Sequence, residues 1–206
     1  MRAQVAGAVN TFIFDGGEIS GDNTDGAGLV RDLTQNLGMS VGERRVLLLG
    51  AGGAARGALA ALLLEAPDEL VIANRTAAKA AILAAEFAAS LPSPRTGGRG
   101  AFPVGCAFAD LAGRRFDLVI NATSVGLGDG ALDLPDGLFA PGMLAYDMVY
   151  GRDTPFLLGA RAHGARTADG LGMLVEQAAE AFVLWRGTRP DTSPVLAHLR
   201  AEMPST

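Results

Sequence analysis

The chain has 206 residues, 49% hydrophobic and 19% charged, with a formal net charge of −5, 28 glycines and a single cysteine. That composition is too apolar and too weakly charged for a disordered state, and it is long enough for one domain with some extra chain. A spanning helix is excluded because the longest uninterrupted apolar run, residues 58–64, falls far short of the ~18 residues a bilayer needs. A pI near 5.0 argues against a general nucleic-acid surface, which wants a basic face. Cys106 alone can form no internal disulfide, and with no leader at the start the expected location is the cytoplasm. Of the 17 basic residues only Lys79 is a lysine, so chemistry that requires a lysine must use it or go without. No Cys and His spacing suits a metal.

In chain order, residues 8–14 are β-rich, Asp15-Gly16-Gly17 supplies turn residues, and residues 18–21 return, which predicts a hairpin that must pack on something. Leu29, Val30, Leu33 and Leu37 stand at helical spacing over residues 25–37, with Gly38 suited to close that helix. Residues 46–49 form a short continuous apolar run, followed by a glycine turn and an Ala/Leu-rich helix ending near Glu65. A second strand is predicted at residues 70–73, and a helix capped by Thr76 through about Ala89. The Pro/Gly/Arg segment 92–100 reads as an exposed loop. Strands are then expected at 102–104, 116–121 and 143–149, helices at 154–163 and 171–185, and a last helix capped by Ser193 with Pro194 in its first turn. Strands alternating with helices predict an α/β fold: a doubly wound parallel sheet of the Rossmann type, with an N-terminal hairpin and C-terminal helices. The expected division is 1–24 for the hairpin, 25–188 for the nucleotide-binding domain and 189–206 for a C-terminal helix and tail.

Gly50-Ala51-Gly52-Gly53-Ala54-Ala55 has dinucleotide-binding spacing and sits directly between a predicted strand and helix. The first glycine permits the tight turn, Gly52 lets backbone amides approach a pyrophosphate, and Ala55 lets helix and strand pack closely. An NAD site would usually carry Asp or Glu ~20 residues further on to hold the ribose hydroxyls. Here the second strand ends Ala73-Asn74-Arg75-Thr76 with Lys79 beyond, so cations replace the carboxylate and NADP is favoured. Asn121-Ala122-Thr123-Ser124 follows another buried strand, where amides and hydroxyls reach the cofactor crevice, or where an ordinary Asx turn would also fit. Asp22-Asn23-Thr24-Asp25-Gly26, by itself, could merely cap a helix.

These residues, together with Gly7-Ala8-Val9-Asn10-Thr11, Tyr146-Asp147-Met148-Val149-Tyr150-Gly151, Thr154-Pro155-Phe156-Leu157 and Gly170-Leu171-Gly172-Met173-Leu174-Val175-Glu176-Gln177-Ala178, make the chain resemble the shikimate dehydrogenases. The resemblance runs in family order from Gly7 to about Gly187. It implies NADP-dependent reduction of 3-dehydroshikimate to shikimate, in aromatic amino acid biosynthesis. It implies that Asn10, Asp25, Tyr150 and Gln177 hold the substrate and that Asp25 is the acidic member of a catalytic lysine–aspartate pair. It assigns NADP to Gly50, Ala51, Gly52, Gly53, Ala54, Asn74, Arg75, Thr76, Lys79, Met148 and Gly170, to which the strand-end position adds Thr123 and Ser124. The family's N-terminal substrate domain, with its catalytic lysine, has no counterpart here, so poor turnover is expected of the chain as given. A second copy of the chain, or the missing N-terminal half supplied in trans, is the expected protein partner. A non-catalytic NADP-binding module and a quinate-type dehydrogenase are the alternative readings.

Overall fold

The computed structural model of the chain describes residues 2–90, 102–127 and 130–203. Its centre is a six-stranded parallel sheet in the order β5-β4-β3-β6-β7-β8. In sequence these are β3 (Arg45–Leu49), β4 (Glu69–Asn74), β5 (Val104–Ala107), β6 (Leu118–Asn121), β7 (Leu144–Asp147) and β8 (Arg166–Ala168). The order reverses between β3 and β6, which are directly paired with Val46 opposite Leu118 and Leu49 opposite Asn121. The sheet is the doubly wound one that the alternating pattern predicts.

The inner strands form because their residues are apolar on both faces, and each face has helices to bury against. Leu48, Ile72, Ile120 and Tyr146 point into one core. It is completed by α2 (Asp25–Arg31), α3 (Gly53–Leu64) and α4 (Ala77–Ser90). Leu47, Leu49, Val71 and Val119 point into the other, with Phe108, Phe156 and Leu157. Phe156 and Leu157 belong to α5 (Pro155–Ala162). The remaining helices are α1 (Arg2–Ala6), α6 (Leu171–Arg186) and α7 (Ser193–Glu202).

The hairpin comprises β1 (Thr11–Asp15) and β2 (Glu18–Asp22), paired antiparallel with Asp15 opposite Glu18. Its two turn residues, Gly16 and Gly17, have φ of +56° and +89°, the conformation that the right-handed strand twist demands. It forms a sheet of its own, with Phe12, Phe14 and Ile19 largely exposed. The indole Nε1 of Trp185 donates to the Phe12 carbonyl at 2.8 Å, joining hairpin to α6.

Several expectations are corrected. The helix predicted over residues 25–37 is α-helical only to Arg31 and continues as a π-helical turn, Asp32–Asn36. Leu37 N donates to the Asp32 carbonyl at 3.0 Å, five residues back, and Gly38 closes the turn with φ of +63°. Ser193 is the first residue of α7 rather than its cap; Thr192 precedes it and turns its hydroxyl away, to Glu176. Helix α1 and strand β8 had no sequence signal. The strand expected at 102–104 starts instead at Val104, and Cys106 on it is half-buried. The predicted loop 92–100 lies outside the described residues.

Candidate functional site

A cleft of about 1210 Å³ opens along the carboxyl ends of β3, β4 and β6. Its floor is the turn after β3. Gly50 takes φ of +107°, and a Cβ there would lie 3.0 Å from the Ala122 carbonyl oxygen, so the turns after β3 and β6 touch. Such a backbone conformation, in such a space, admits glycine alone. At Gly52 and Gly53 the situation is reversed: a Cβ would meet nothing within 4 Å, because that space belongs to the cleft. Gly52 is the cap of α3 and, lacking a side chain, offers nothing to the first amides of that helix. Among the described residues no side chain takes up these N–H groups, and the positive end of a twelve-residue helix is suited to an anion.

From Gly50 to Ala54 every residue lines the cleft, as do Asn74, Arg75, Thr76, Lys79, Thr123, Ser124 and Met148. Asn74 Nδ2 donates to the Thr76 carbonyl at 3.0 Å, shaping the bend between β4 and α4. Arg75 and Lys79 are exposed there and have no ion-pair partner among the described residues. Gly170 is the exception in the cofactor set. It lies outside the lining, and a Cβ on it would fall 2.2 Å from the Met148 carbonyl oxygen, so it packs behind that wall. Sequence reasoning missed the opposite wall, Phe108 and residues 131–135, because loop residues of mixed type carry no spacing signal.

The second cluster gathers residues far apart in sequence. Asn10 Nδ2 donates to Asp25 Oδ1 at 2.7 Å and to Gln177 Oε1 at 3.4 Å. Asn10 Oδ1 accepts from the Thr24 amide at 3.0 Å. The Thr24 hydroxyl reaches Gln177 Oε1 at 3.2 Å. Asn23 Oδ1 accepts from the Asp25 amide at 3.1 Å, so the loop before α2 is fixed by its own side chains. Asp25 also borders α3: a Cβ on Gly57 would lie 3.8 Å from Asp25 Oδ2. This cluster therefore stands beside the helix whose first turn floors the cleft. Tyr150 is half-exposed beyond β7 and shares no hydrogen bond with Asn10, Asp25 or Gln177.

Three buried groups support these surfaces. Asp147, fully buried at the end of β7, accepts from Asn121 Nδ2 at 3.1 Å and from the Thr154 hydroxyl at 2.6 Å. Burial pushes its carboxyl up, against the pull of those donors and of the Val149 amide. Asp32, also buried, accepts from the Tyr146 hydroxyl at 2.7 Å. Burial raises both the Asp32 carboxyl and, more strongly, the Tyr146 phenol. Glu176 is buried too, but hydrogen bonds from Thr192, Arg189 and Asn36 overcome desolvation and hold its carboxyl below the usual range.

A reversing parallel sheet, a glycine turn at the reversal and an open anion-binding helix start define the class: a doubly wound dinucleotide-binding protein. The sequence comparisons narrow it. The profile described as Shikimate / quinate 5-dehydrogenase matches residues 32–93, and that of the Shikimate 5'-dehydrogenase C-terminal domain matches residues 170–200. A shikimate dehydrogenase (NADP(+)) of Dechloromonas aromatica is 61% identical over 204 residues, covering 98% of this chain and 71% of that protein. Among solved structures, an Ael1 enzyme from Pseudomonas putida is 48% identical with a TM-score of 0.87, over 96% of this chain and 70% of that one. Shikimate 5-dehydrogenase from Thermus thermophilus, solved with NADP(H) and shikimate, is 36% identical with a TM-score of 0.77, over 97% and 70%. The chain belongs to the shikimate dehydrogenase family.

Proposed function

We infer that this chain binds NADP(H) in the cleft and forms one side of a site for shikimate and 3-dehydroshikimate, as an oxidoreductase. One observation carries the reading: two cations with no ion-pair partner among the described residues, Arg75 and Lys79, lie in the same cleft as the open first turn of α3. That donor set fits a dinucleotide bearing an extra ribose phosphate, with Arg75 as a planar fork, Lys79 as a point charge and the α3 amides on the pyrophosphate. The relatives' NADP dependence agrees. The hairpin's separate sheet supports its assignment to the substrate side, residues 1–24, against 25–188 for the nucleotide domain and 189–206 for the C-terminal helix and tail.

NADPH, when bound, supplies the hydride that reduces the carbonyl carbon, while the oxygen takes a proton. The residues of this chain position and polarise. Asn10 fixes Oδ1 of Asp25 through its amide and Asn23 Nδ2 approaches Oδ2 at 3.5 Å, which orients the carboxyl toward a substrate hydroxyl. Gln177 is turned toward the same space by Thr24 and Asn10, and Tyr150 is exposed to close the site from β7. A lysine partner for Asp25 is not available within the chain, since Lys79 belongs to the cofactor cleft. Turnover by this polypeptide alone is expected to fall ~10²–10⁴-fold for want of that group. The same observation favours a second reading, a nucleotide-binding module without catalysis.

Fluorescence titration with NADPH and NADH tests the cofactor. NADPH should bind at least about tenfold more tightly, and equal binding or none defeats the reading. Steady-state assay with NADP and shikimate tests the rest. Slow turnover restored by a lysine-bearing substrate domain in trans supports the enzyme, while continued silence supports the module. Quinate in place of shikimate ranks the substrates.

A further inference from the structure

Asp147 is fully buried at the carboxyl end of β7 and immediately precedes Met148, which lines the cleft. All its neighbours donate to it. Oδ1 accepts from the Val149 amide at 3.1 Å, and Oδ2 accepts from Asn121 Nδ2 and the Thr154 hydroxyl. The orientation of each is fixed from behind. Asn121 Oδ1 is occupied by the Thr123 amide at 3.1 Å and the Thr123 hydroxyl at 2.7 Å, which leaves the Nδ2 end for Asp147. The Thr154 oxygen accepts from the Leu157 amide at 3.3 Å as the cap of α5, so its proton goes to Asp147. Each of these donors favours the carboxylate, against the burial that pushes the Asp147 carboxyl up.

Among the described residues no arginine, lysine or histidine pairs with Asp147. A charge that acts on it is that of another acid, Asp169, itself paired with Arg200 at 2.7 Å. Hydrogen bonds satisfy Asp147 without cancelling its charge, and in a poorly screened interior that charge reaches across the cleft wall.

The cleft has a direction. With the pyrophosphate on α3 and the extra phosphate at Arg75 and Lys79, the adenosine half lies over β4, so the nicotinamide half runs toward Thr123, Ser124 and Met148. The nicotinamide ring is cationic when oxidised and neutral when reduced. The geometry points to Asp147 as a fixed, buried anion behind the nicotinamide end of the cleft, which shifts the site's affinity toward the oxidised cofactor relative to the reduced one. This rests on the NADP reading above. It makes Asp147 a specificity-determining residue buried behind the cleft wall, with Asn121 and Thr154 fixing its orientation.

The test measures two affinities, NADP+ by calorimetry and NADPH by fluorescence, in the unaltered chain and in Asp147→Asn and Thr154→Val. Asp147→Asn should move the ratio against NADP+ by about threefold to tenfold. Thr154→Val keeps the charge and removes a donor, so NADP+ should stay at least as favoured as in the unaltered chain. Equal weakening of both forms in Asp147→Asn means packing support only and overturns the inference. Should Asp147→Asn fail to fold by circular dichroism, Thr154→Val decides, and a drop in its preference for NADP+ overturns the inference as well. An unaltered chain that binds neither form refutes the dinucleotide reading itself, whereas binding with an invariant ratio refutes only the role of Asp147.

Discussion

Glycines that look alike in the sequence do different work, and substitution separates them. Gly50→Ala forces a side chain into φ of +107° and against the Ala122 carbonyl, so the turn must strain or shift. We predict a loss of about 1–3 kcal/mol by urea denaturation. Gly52→Ala, at φ of −95° with open space around its Cβ, should keep stability within about 0.5 kcal/mol. The new methyl would stand where a pyrophosphate must approach the amides, so NADPH affinity should fall about tenfold or more by titration. If Gly52→Ala binds normally, the first turn of α3 is not the anion site. Gly172 belongs to a third kind. A Cβ there would lie 1.9 Å from Asp32 Oδ1, because the Asp32 carboxyl and its Tyr146 partner fill the start of α6.

At the scale of elements, α2 is wedged between α3 and α6 by two missing side chains. A Cβ on Gly26 would lie 2.5 Å from the Gly57 carbonyl oxygen, and one on Gly28 would lie 2.7 Å from both the amide and the Cβ of Gln177. This crossing sets Gln177 against Asn10 and Thr24. Gly28→Ala should cost about 1–3 kcal/mol by overpacking, yet the extra stability conferred by NADPH should be unchanged, since the cleft lies elsewhere. A lost NADPH increment would show that the two sites are not separable. Elements β3, β4, β6 and β7 were readable because apolar runs between turn residues need two covered faces. Strand β8, three residues of mixed polarity, and α1, five residues with two buried alanines, carry no period. The π-helical turn escaped because its cause is distant: Asp32 is drawn to Tyr146, 114 residues away. The cleft was legible for the opposite reason, its motifs being local. Asn10, Asp25 and Gln177 were reached only through family resemblance, since their contacts span up to 167 residues. Asp147 and Glu176 as interior acids left no mark in the sequence, where each reads as one more surface charge.

Across the whole molecule a polar chain links the hairpin to the sheet. Arg2 bridges Asp22 at 2.6 Å and Glu180 at 2.8 Å; Arg189 joins Glu180 at 3.0 Å to Glu176; Asn36 joins Glu176 at 3.4 Å to Asp32 at 2.9 Å. Arg31 approaches Glu176 from α2 at 3.4 Å. Two buried acids, Glu176 within this chain and Asp147 apart from it, respond in opposite directions as pH changes. Glu176 has its carboxyl lowered from 4.5, so its stabilisation is present above that value and is lost as pH falls through the depressed one. Asp147 is raised from 3.8, so its contribution is present at low pH and is lost as pH rises through the elevated value. Glu176→Gln should therefore cost about 3 kcal/mol at neutral pH, since the buried acceptor of Arg189, Thr192 and Asn36 loses its charge while Arg189 keeps only Glu180, and that deficit should shrink on acidification. The deficit of Asp147→Asn should instead grow as pH falls, because only the unaltered chain gains by binding a proton there. Melting curves of the three proteins from neutral pH into the acid range resolve the two trends. Deficits that move in the same direction would mean that one of these two buried acids carries the opposite charge preference in the folded chain.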